Sequence, residues 1–492
     1  MQIALYRQGF ISVSADEFAR GIRAALWANN PSINIVADIQ GTWLPLEKYL
    51  NGISLLVFPD VILAPRLTVF AASCLVLVMV YLLAYHLFGR FAIAVLSTVF
   101  ITFQPWYAWL SGTPMLEMYY FACFFTGLFF IIMWLKETRK GYWLGAGICF
   151  LLASGIHVQS WTFINLVNLL TLPSLYKFIR QKEYANLSKL VAYYVLSNGL
   201  IIGFVVLEYI YTGNVFAFLE HHTTYSKWFY QGYDVSVTKK SLYYPRLVVE
   251  YSSTAIWLCL FAALAFLRRD QGRRWKLFPL LLAIVALLLN SVMNTLSGPP
   301  SAAPARYSLF YTLILSLYVA YGTYQLFMFG KQHTRLLVRT ASLVIAVTLF
   351  LYGVWWGANR IPDYPHGMSV DAVEVGRHLD KLLAETSGTY MVELRYWEYL
   401  GVNLAARHYD AITFDREKIF LDRNTPSIFL QEPVHVCREL LALPELRYVA
   451  LQDEALKLQV QQINLLRLYE NVGTWAIYEV IPESERTNPA CG

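Results

Sequence analysis

Charge is what this chain has least of. Asp, Glu, Lys and Arg make up 15% of its 492 residues, against 57% hydrophobic and 16% aromatic. Soluble globular domains carry about 25% charged residues, so a freely soluble enzyme is excluded. The 6 cysteines are scattered, without the short paired spacings of a zinc or iron–sulfur site. Cys74, Cys123, Cys149 and Cys259 lie in apolar runs, where a small buried hydrophobe is ordinary, whereas Cys437 and Cys491 share the polar tail and could pair. Internal repeats and low-complexity tracts are missing. Residues 1–60 hold neither a signal peptide nor a convincing spanning segment. Lys and Arg are also scarce in every second connector between the hydrophobic runs, and that absence fixes a topology.

The runs themselves are of spanning length, since roughly 20 apolar residues cross about 30 Å of hydrocarbon. Candidate spans are 61–88, 91–109, 115–135, 141–156, 158–178, 189–211, 251–267, 276–296, 306–329 and 336–357. Tryptophans mark many ends, among them Trp106, Trp109, Trp134, Trp161 and Trp355, as an interfacial belt requires. Positive charge fills alternate connectors: Lys136, Arg139 and Lys140; Lys177, Arg180, Lys182 and Lys189; Arg268, Arg269, Arg273, Arg274 and Lys276; Lys331, Arg335 and Arg339. The positive-inside rule places these in the cytosol. Residues 1–60, the 212–250 loop and the tail after Trp356 then lie outside. The net charge of +6 reflects this topology and contact with anionic lipid, not nucleic-acid binding. An external N-terminus must be translocated, so an upstream first helix absent from this chain is expected.

Three regions follow: a first external loop at 1–60, a transmembrane bundle at 61–357, and an extracytoplasmic α/β domain at 358–492. In the first, Ser14 is placed to cap a helix whose first turn carries Asp16 and Glu17. Phe18, Ile22, Ala25 and Leu26 recur at helical spacing, as in an interfacial helix lying on the outer leaflet. In the tail, the periodicities predict helices at 370–384, 396–406 and 455–469, and strands at 389–394, 447–451 and 474–481.

Few ionisable residues fall on the external face, and each has a structural reading beside a chemical one. Asp16 and Glu17 suit a helix N-terminus, where the dipole favours carboxylates. If one acts as a general base, the other more plausibly orients it or binds a cation, because adjacent helical residues point about 100° apart. Glu117 stands where the third span enters from outside, just after Gly112 and Pro114. It either snorkels to the interface or, inside the apolar boundary, marks a functional site. Arg306-Tyr307 opens a span on the side where the positive-inside rule disfavours arginine. It either snorkels or holds a phosphate at headgroup level. Lys48, beside Glu47, could add a point charge. His157, His221 and His222 have poor spacing for zinc and read as polar loop residues. The aromatic loop that includes Tyr225 and Trp228 suits sugar stacking and an interfacial loop equally well.

Together these pieces resemble the GT-C class of polytopic glycosyltransferases, and within it the protein O-mannosyltransferase and aminoarabinose transferase superfamily. The resemblance rests on Asp16-Glu17 in the first external loop, the Trp/Pro/Leu/Tyr stretch at 43–50, Glu117 in the next external loop and Arg306-Tyr307 late in the bundle. It covers about residues 10–357 in order and topology. The family's first transmembrane helix has no counterpart here, and 46–49 matches the family's Pro-rich stretch only loosely. The resemblance implies a GT-C-like bundle with an extracytoplasmic α/β domain; the compact loops and the lack of an evident retention signal point to a bacterial or archaeal plasma membrane. It implies transfer of a sugar from a polyprenyl-phosphate donor to an acceptor hydroxyl on protein, lipid or glycan, with inversion. Asp16, Glu17 and Glu117 would be catalytic, with Asp16 the base. Arg306, Tyr307 and Lys48 would bind the donor phosphate; Glu47, Trp43, His157, Tyr225 and Trp228 would contact acceptor or sugar. A divalent cation, Mg or Mn, would be held by Asp16 and Glu117 if the enzyme uses one.

Two other classes compete. A transporter or flippase of lipid-linked saccharides would place its ionisable residues near the midplane, where this chain has almost none. A membrane scaffold would have no use for Asp16, Glu117 and Arg306 on one face.

Overall fold

The computed structural model describes the chain apart from residues 34–42, 138–140, 218–219, 221–235, 269–272, 298–303, 366–368, 395–396, 418–424 and 486–492. The chain divides into two compact units. One comprises Met1–Pro31, Asn51–Pro65 and Pro365–Gly492; the other comprises Ser32–Leu50 and Arg66–Tyr364.

Three helices come first: α1 (Gln2–Arg7), α2 (Asp16–Asn29) and α3 (Leu46–Val57), the last of which contains the boundary between the units. The bundle follows: α4 (Leu63–Phe88), α5 (Phe91–Thr102), α6 (Pro105–Leu110), α7 (Leu116–Glu137), α8 (Tyr142–Ile156), α9 (Gln159–Arg180) and α10 (Tyr184–Thr212). After two short helices, α11 (Val237–Ser241) and α12 (Tyr243–Glu250), come α13 (Thr254–Leu267), α14 (Arg273–Ser297), α15 (Ser308–Gln332) and α16 (Leu336–Arg360).

All ten expected spans are helical. Among the described residues, 7 helices are long and apolar enough to cross a membrane: α4, α7, α9, α10, α14, α15 and α16. α12 and α13, bent by 104° at their junction, make an eighth if taken as one span, and α5 and α8 are shorter apolar helices. The expected run 91–109 is broken because Pro105 disfavours helical geometry at Gln104. Gln104 is extended, and its side chain accepts the Tyr107 N–H at 2.7 Å to start α6 afresh.

The spans are not equivalent. The apolar windows of α7 and α15 are 78% and 67% buried within the protein, whereas that of α16 is 11% buried. α7 and α15 are therefore the inner helices, and α16 turns most of its surface to lipid. Aromatic packing joins the inner helices to α9: Phe163 and Phe310 stack at 3.7 Å between centroids, with Phe124 against both. Where α14 contains Pro279, the Tyr318 hydroxyl of α15 donates to the Lys276 carbonyl at 2.5 Å and accepts the Leu280 N–H at 3.0 Å, taking up backbone groups beside the proline.

The other unit is built on a sheet of β1 (Thr389–Val392), β2 (Ile412–Phe414), β3 (Leu446–Leu451), β4 (Leu466–Val472) and β5 (Trp475–Val480) in the order β2-β1-β3-β5-β4. The first three are parallel; β5 runs antiparallel to β3 and to β4. One face is covered by α17 (Val370–Thr386) and α18 (Tyr399–Ala406), the other by α19 (Pro433–Leu441) and α20 (Glu454–Val460). Burial raises the phenols of Tyr399 and Tyr409 in this unit to about 12. Cys437 is disulfide-bonded, while Cys491 lies outside the described residues.

Three local expectations are corrected. The helix foreseen at 455–469 stops at Val460, and 466–472 is instead an edge strand whose residues are mostly exposed. With so little of β4 buried, its apolar pattern could not separate the two periods. Strand β2 and helix α19 were not foreseen. In α2, Ala15 holds the N-cap position, while Ser14 Oγ accepts the Asp16 N–H at 3.3 Å from one residue earlier, and the apolar face foreseen on a lipid surface is covered by protein. Phe18 packs with Ile11, Val373 and Leu404, and Gly21 lies against the Leu404 side chain.

Helix crossings in the bundle depend on missing side chains. A Cβ at Gly322 of α15 would run into the Cys259 carbonyl oxygen of α13, whereas a Cβ at Gly203 of α10 would meet nothing within 4 Å. Gly322→Ala is expected to destabilise the chain by about 1–3 kcal/mol, as overpacking does. Gly203→Ala should be neutral or slightly stabilising. Thermal unfolding of both variants in detergent would check this, and equal midpoints would refute the tight crossing.

Candidate active site

The membrane bundle holds a buried ion pair where few charges are buried at all. Glu117, in the first turn of α7, is fully buried, and Arg306 is 4% exposed in the 3-10 turn Pro304–Tyr307 that leads into α15. Arg306 Nε lies 2.5 Å from Glu117 Oε1. Two charges out of water are tolerable only when paired, and removing either leaves its partner stranded. The helix dipole favours Glu117 where it stands but opposes Arg306, which sits at the positive end of α15. A guanidinium beside a helix N-terminus forms a locus suited to an anion such as phosphate. Among the described residues, the Glu117 oxygens have no hydrogen-bond partner beyond the contact with Arg306. A buried acceptor in that condition is matched to a donor brought by a ligand, such as a sugar hydroxyl.

A polar and aromatic wall continues from the pair. The Arg306 guanidinium carbon stands 5.5 Å from the Tyr307 ring centre, and Tyr307 meets His157 edge-on at 5.8 Å. The His157 ring lies 5.0 Å from Tyr120, whose hydroxyl donates to Gln159 Oε1 at 2.8 Å. His157 Nδ1 accepts the Gln159 N–H at 2.9 Å, which leaves the neutral ring's proton on Nε2. Glu47 and Lys48, 1% and 7% exposed, are buried in the first turn of α3, with Lys48 Nζ 5.0 Å from the Tyr49 ring. The charge of Glu47 acts on Tyr119 of α7. Trp43 is half-buried.

Glu117, Arg306, Tyr307 and His157 are thus brought together as sequence neighbours never are. Tyr120 and Gln159 complete the cluster and were not foreseen. Tyr120 follows Glu117 by three positions, the spacing that puts two side chains on one helix face, and that signal was available. Tyr225 and Trp228 lie outside the described residues.

Asp16 and Glu17 belong to the unit built with the tail. Glu17 is 2% exposed and its Oε1 accepts the N–H groups of Val13 and Ser14 at 2.7 and 3.2 Å. That carboxylate folds the approach to α2. Asp16, half-buried, is the more accessible of the two. No group of three His, Cys, Asp or Glu residues able to hold a metal ion is found among the described residues.

No known family's sequence pattern matches the chain, and no curated protein does. Solved structures do. ArnT from Cupriavidus metallidurans bound to undecaprenyl phosphate superposes with a TM-score of 0.64 at 12% identity, covering 96% of each chain. The same protein in the apo state gives 0.60, at 12% identity, over 96% of this chain and 95% of that one. The archaeal oligosaccharyltransferase AglB from Archaeoglobus fulgidus, in complex with an inhibitory peptide and a dolichol-phosphate, gives 0.51. Its identity is 11%, with coverage of 97% of this chain and 72% of that one. The fold is shared. The GT-C-like bundle with a C-terminal α/β domain, expected from the order of short motifs, is the architecture of this chain.

Removing one member of the ion pair should cost far more than removing both. Arg306→Met is expected to destabilise the chain by about 3–5 kcal/mol, and the double variant with Glu117→Gln to recover most of that loss. Denaturant or thermal unfolding of the two single and one double variants decides it; additive losses would mean that the pair is not coupled.

Proposed function

We propose that the chain is a membrane glycosyltransferase that moves a sugar from a polyprenyl-phosphate donor to an acceptor hydroxyl. The observation that carries this reading is the buried Glu117–Arg306 pair at the head of two inner helices. It occurs in a fold shared with ArnT, which was solved with undecaprenyl phosphate, and with AglB, which was solved with a dolichol-phosphate. The reaction would face the extracytoplasmic side, as the charge asymmetry of the connectors supports, in a bacterial or archaeal plasma membrane, a placement that rests on the compact loops. The disulfide at Cys437 fits a tail in an oxidising compartment.

The chemistry follows from the groups available. Nucleotide sugars are not supplied outside the cytosol, so the donor must be carried by the membrane. The lipid phosphate is the leaving group, and Arg306 with the N-terminus of α15 would hold the charge that develops on it. Lys48 and Tyr307 would assist at the same phosphate. Asp16 would take the proton of the acceptor hydroxyl as the new glycosidic bond forms and the bond to phosphate breaks. A single displacement inverts the anomeric centre. Glu117, with an acceptor oxygen left over, would bind a sugar hydroxyl. Glu17 keeps the segment before Asp16 in shape. Trp43, Glu47 and His157 would contact acceptor or sugar, and Tyr225 and Trp228 are assigned to the same task. A divalent cation, if the enzyme uses one, would be held by Asp16 and Glu117.

The reading is tested on the full chain in lipid by following release of polyprenyl phosphate from a panel of lipid-linked hexoses and pentoses. Asp16→Asn should lower turnover by about 10²–10⁴-fold while donor binding persists. Turnover indifferent to Asp16 would refute its role as the base, and no turnover of any donor would instead favour a transporter of lipid-linked saccharides or a scaffold.

A further inference from the structure

At the other end of α15 from Arg306, roughly 30 Å away by the rise of a helix, the bundle has a second polar feature. A cavity of about 420 Å³ opens among the ends of α4, α13, α14 and α15. That is within the range of small-molecule sites, about 300–1,000 Å³. Among the described residues its charged lining is Arg90 and Lys276, joined by the amides of Gln325 and Gln332 and by Phe266 and Met328. Phe88 and Tyr321, stacked at 4.6 Å, back it. The Lys276 backbone is fixed by the Tyr318 hydroxyl, so the cation stands on an anchored turn. A second cavity of about 500 Å³ runs between the same ends of α13 and α14, lined by Leu264, Ala265, Leu267 and Leu277 with Arg268.

We infer that this end of the bundle binds the headgroup of an anionic phospholipid, with an acyl chain in the apolar cavity. The chemistry is complementary at both points. Two cations and two amides present donors to a phosphodiester and its polar substituent, and basic pockets between transmembrane helices bind anionic headgroups in this manner. Arg268 at the apolar cavity marks the level where an acyl chain meets its ester region. A soluble anion would need the cations but not the leucine-lined cavity, and a zwitterionic lipid would bring its own positive charge against Arg90 and Lys276. The site is separate from the sugar-transfer reading and involves none of its residues.

The test is a titration of the detergent-purified full chain with short-chain phosphatidylglycerol, phosphatidylcholine or inorganic phosphate, read by native mass spectrometry and thermal shift. Phosphatidylglycerol should bind at least about tenfold more tightly than phosphatidylcholine, an effect of the size a phosphate-pairing cation gives. Arg90→Gln with Lys276→Gln should abolish that preference, and millimolar inorganic phosphate should leave the bound lipid in place. Met328→Trp, which fills the cavity without changing its charge, should also weaken binding. Equal binding of the two lipids, a preference unchanged in the Arg90→Gln, Lys276→Gln variant, or binding unchanged in Met328→Trp would overturn the inference. Displacement of the lipid by phosphate would overturn it in favour of a soluble-anion site. Lipid binding is read without sugar transfer, so failure of one reading leaves the other standing.

Discussion

Two opposite charges, removed from water and set against each other at the heads of α7 and α15, constrain the membrane bundle more than any other contact. The pair fixes the ends of the two most buried spans at one level, because a stranded Glu117 or Arg306 would face hydrocarbon or aromatic rings. Beneath it, Phe124, Phe163 and Phe310 fill the space between α7, α9 and α15. The outer helices then wrap this core and turn apolar surface to lipid, most completely in α16. Electrostatics sets the register of the inner helices, and aromatic packing fills in around it.

The acidic motif near the N-terminus is organised on a different principle. Glu17 binds two backbone N–H groups and is thereby committed to shaping the chain, while its neighbour Asp16 keeps more exposure. The helix that carries them is secured by Phe18 and Gly21 on α18. A pair of adjacent carboxylates is thus divided by environment: one is buried on backbone N–H groups and the other is half-buried. Charge alone could not have told them apart.

Much of the fold was legible because a bilayer is a strict solvent. Apolar runs of spanning length disclosed the helices from Leu63 to Arg360. What escaped was local. Pro105 broke a run that hydropathy read as continuous, and β4 exposes too many residues for its period to be decided. The amphipathic pattern of α2 was read correctly as helix but assigned the wrong cover, since periodicity gives a face and not the partner. Within the site, Glu117 and Arg306 stood out because charge is rare near an apolar boundary. Tyr120 and Gln159 did not, because Tyr and Gln are unremarkable at an interface.

The hydroxyl of Tyr318 lying against α14 beside Pro279 carries a consequence for how this protein can vary. A proline within a span leaves backbone groups short of partners, and here a side chain of another helix supplies them. The two positions therefore form one unit of inheritance. A lineage that exchanged Tyr318 for phenylalanine would gain by also giving up Pro279, and one that straightened α14 would release Tyr318 to drift. Their joint presence or joint loss among descendants would record that dependence.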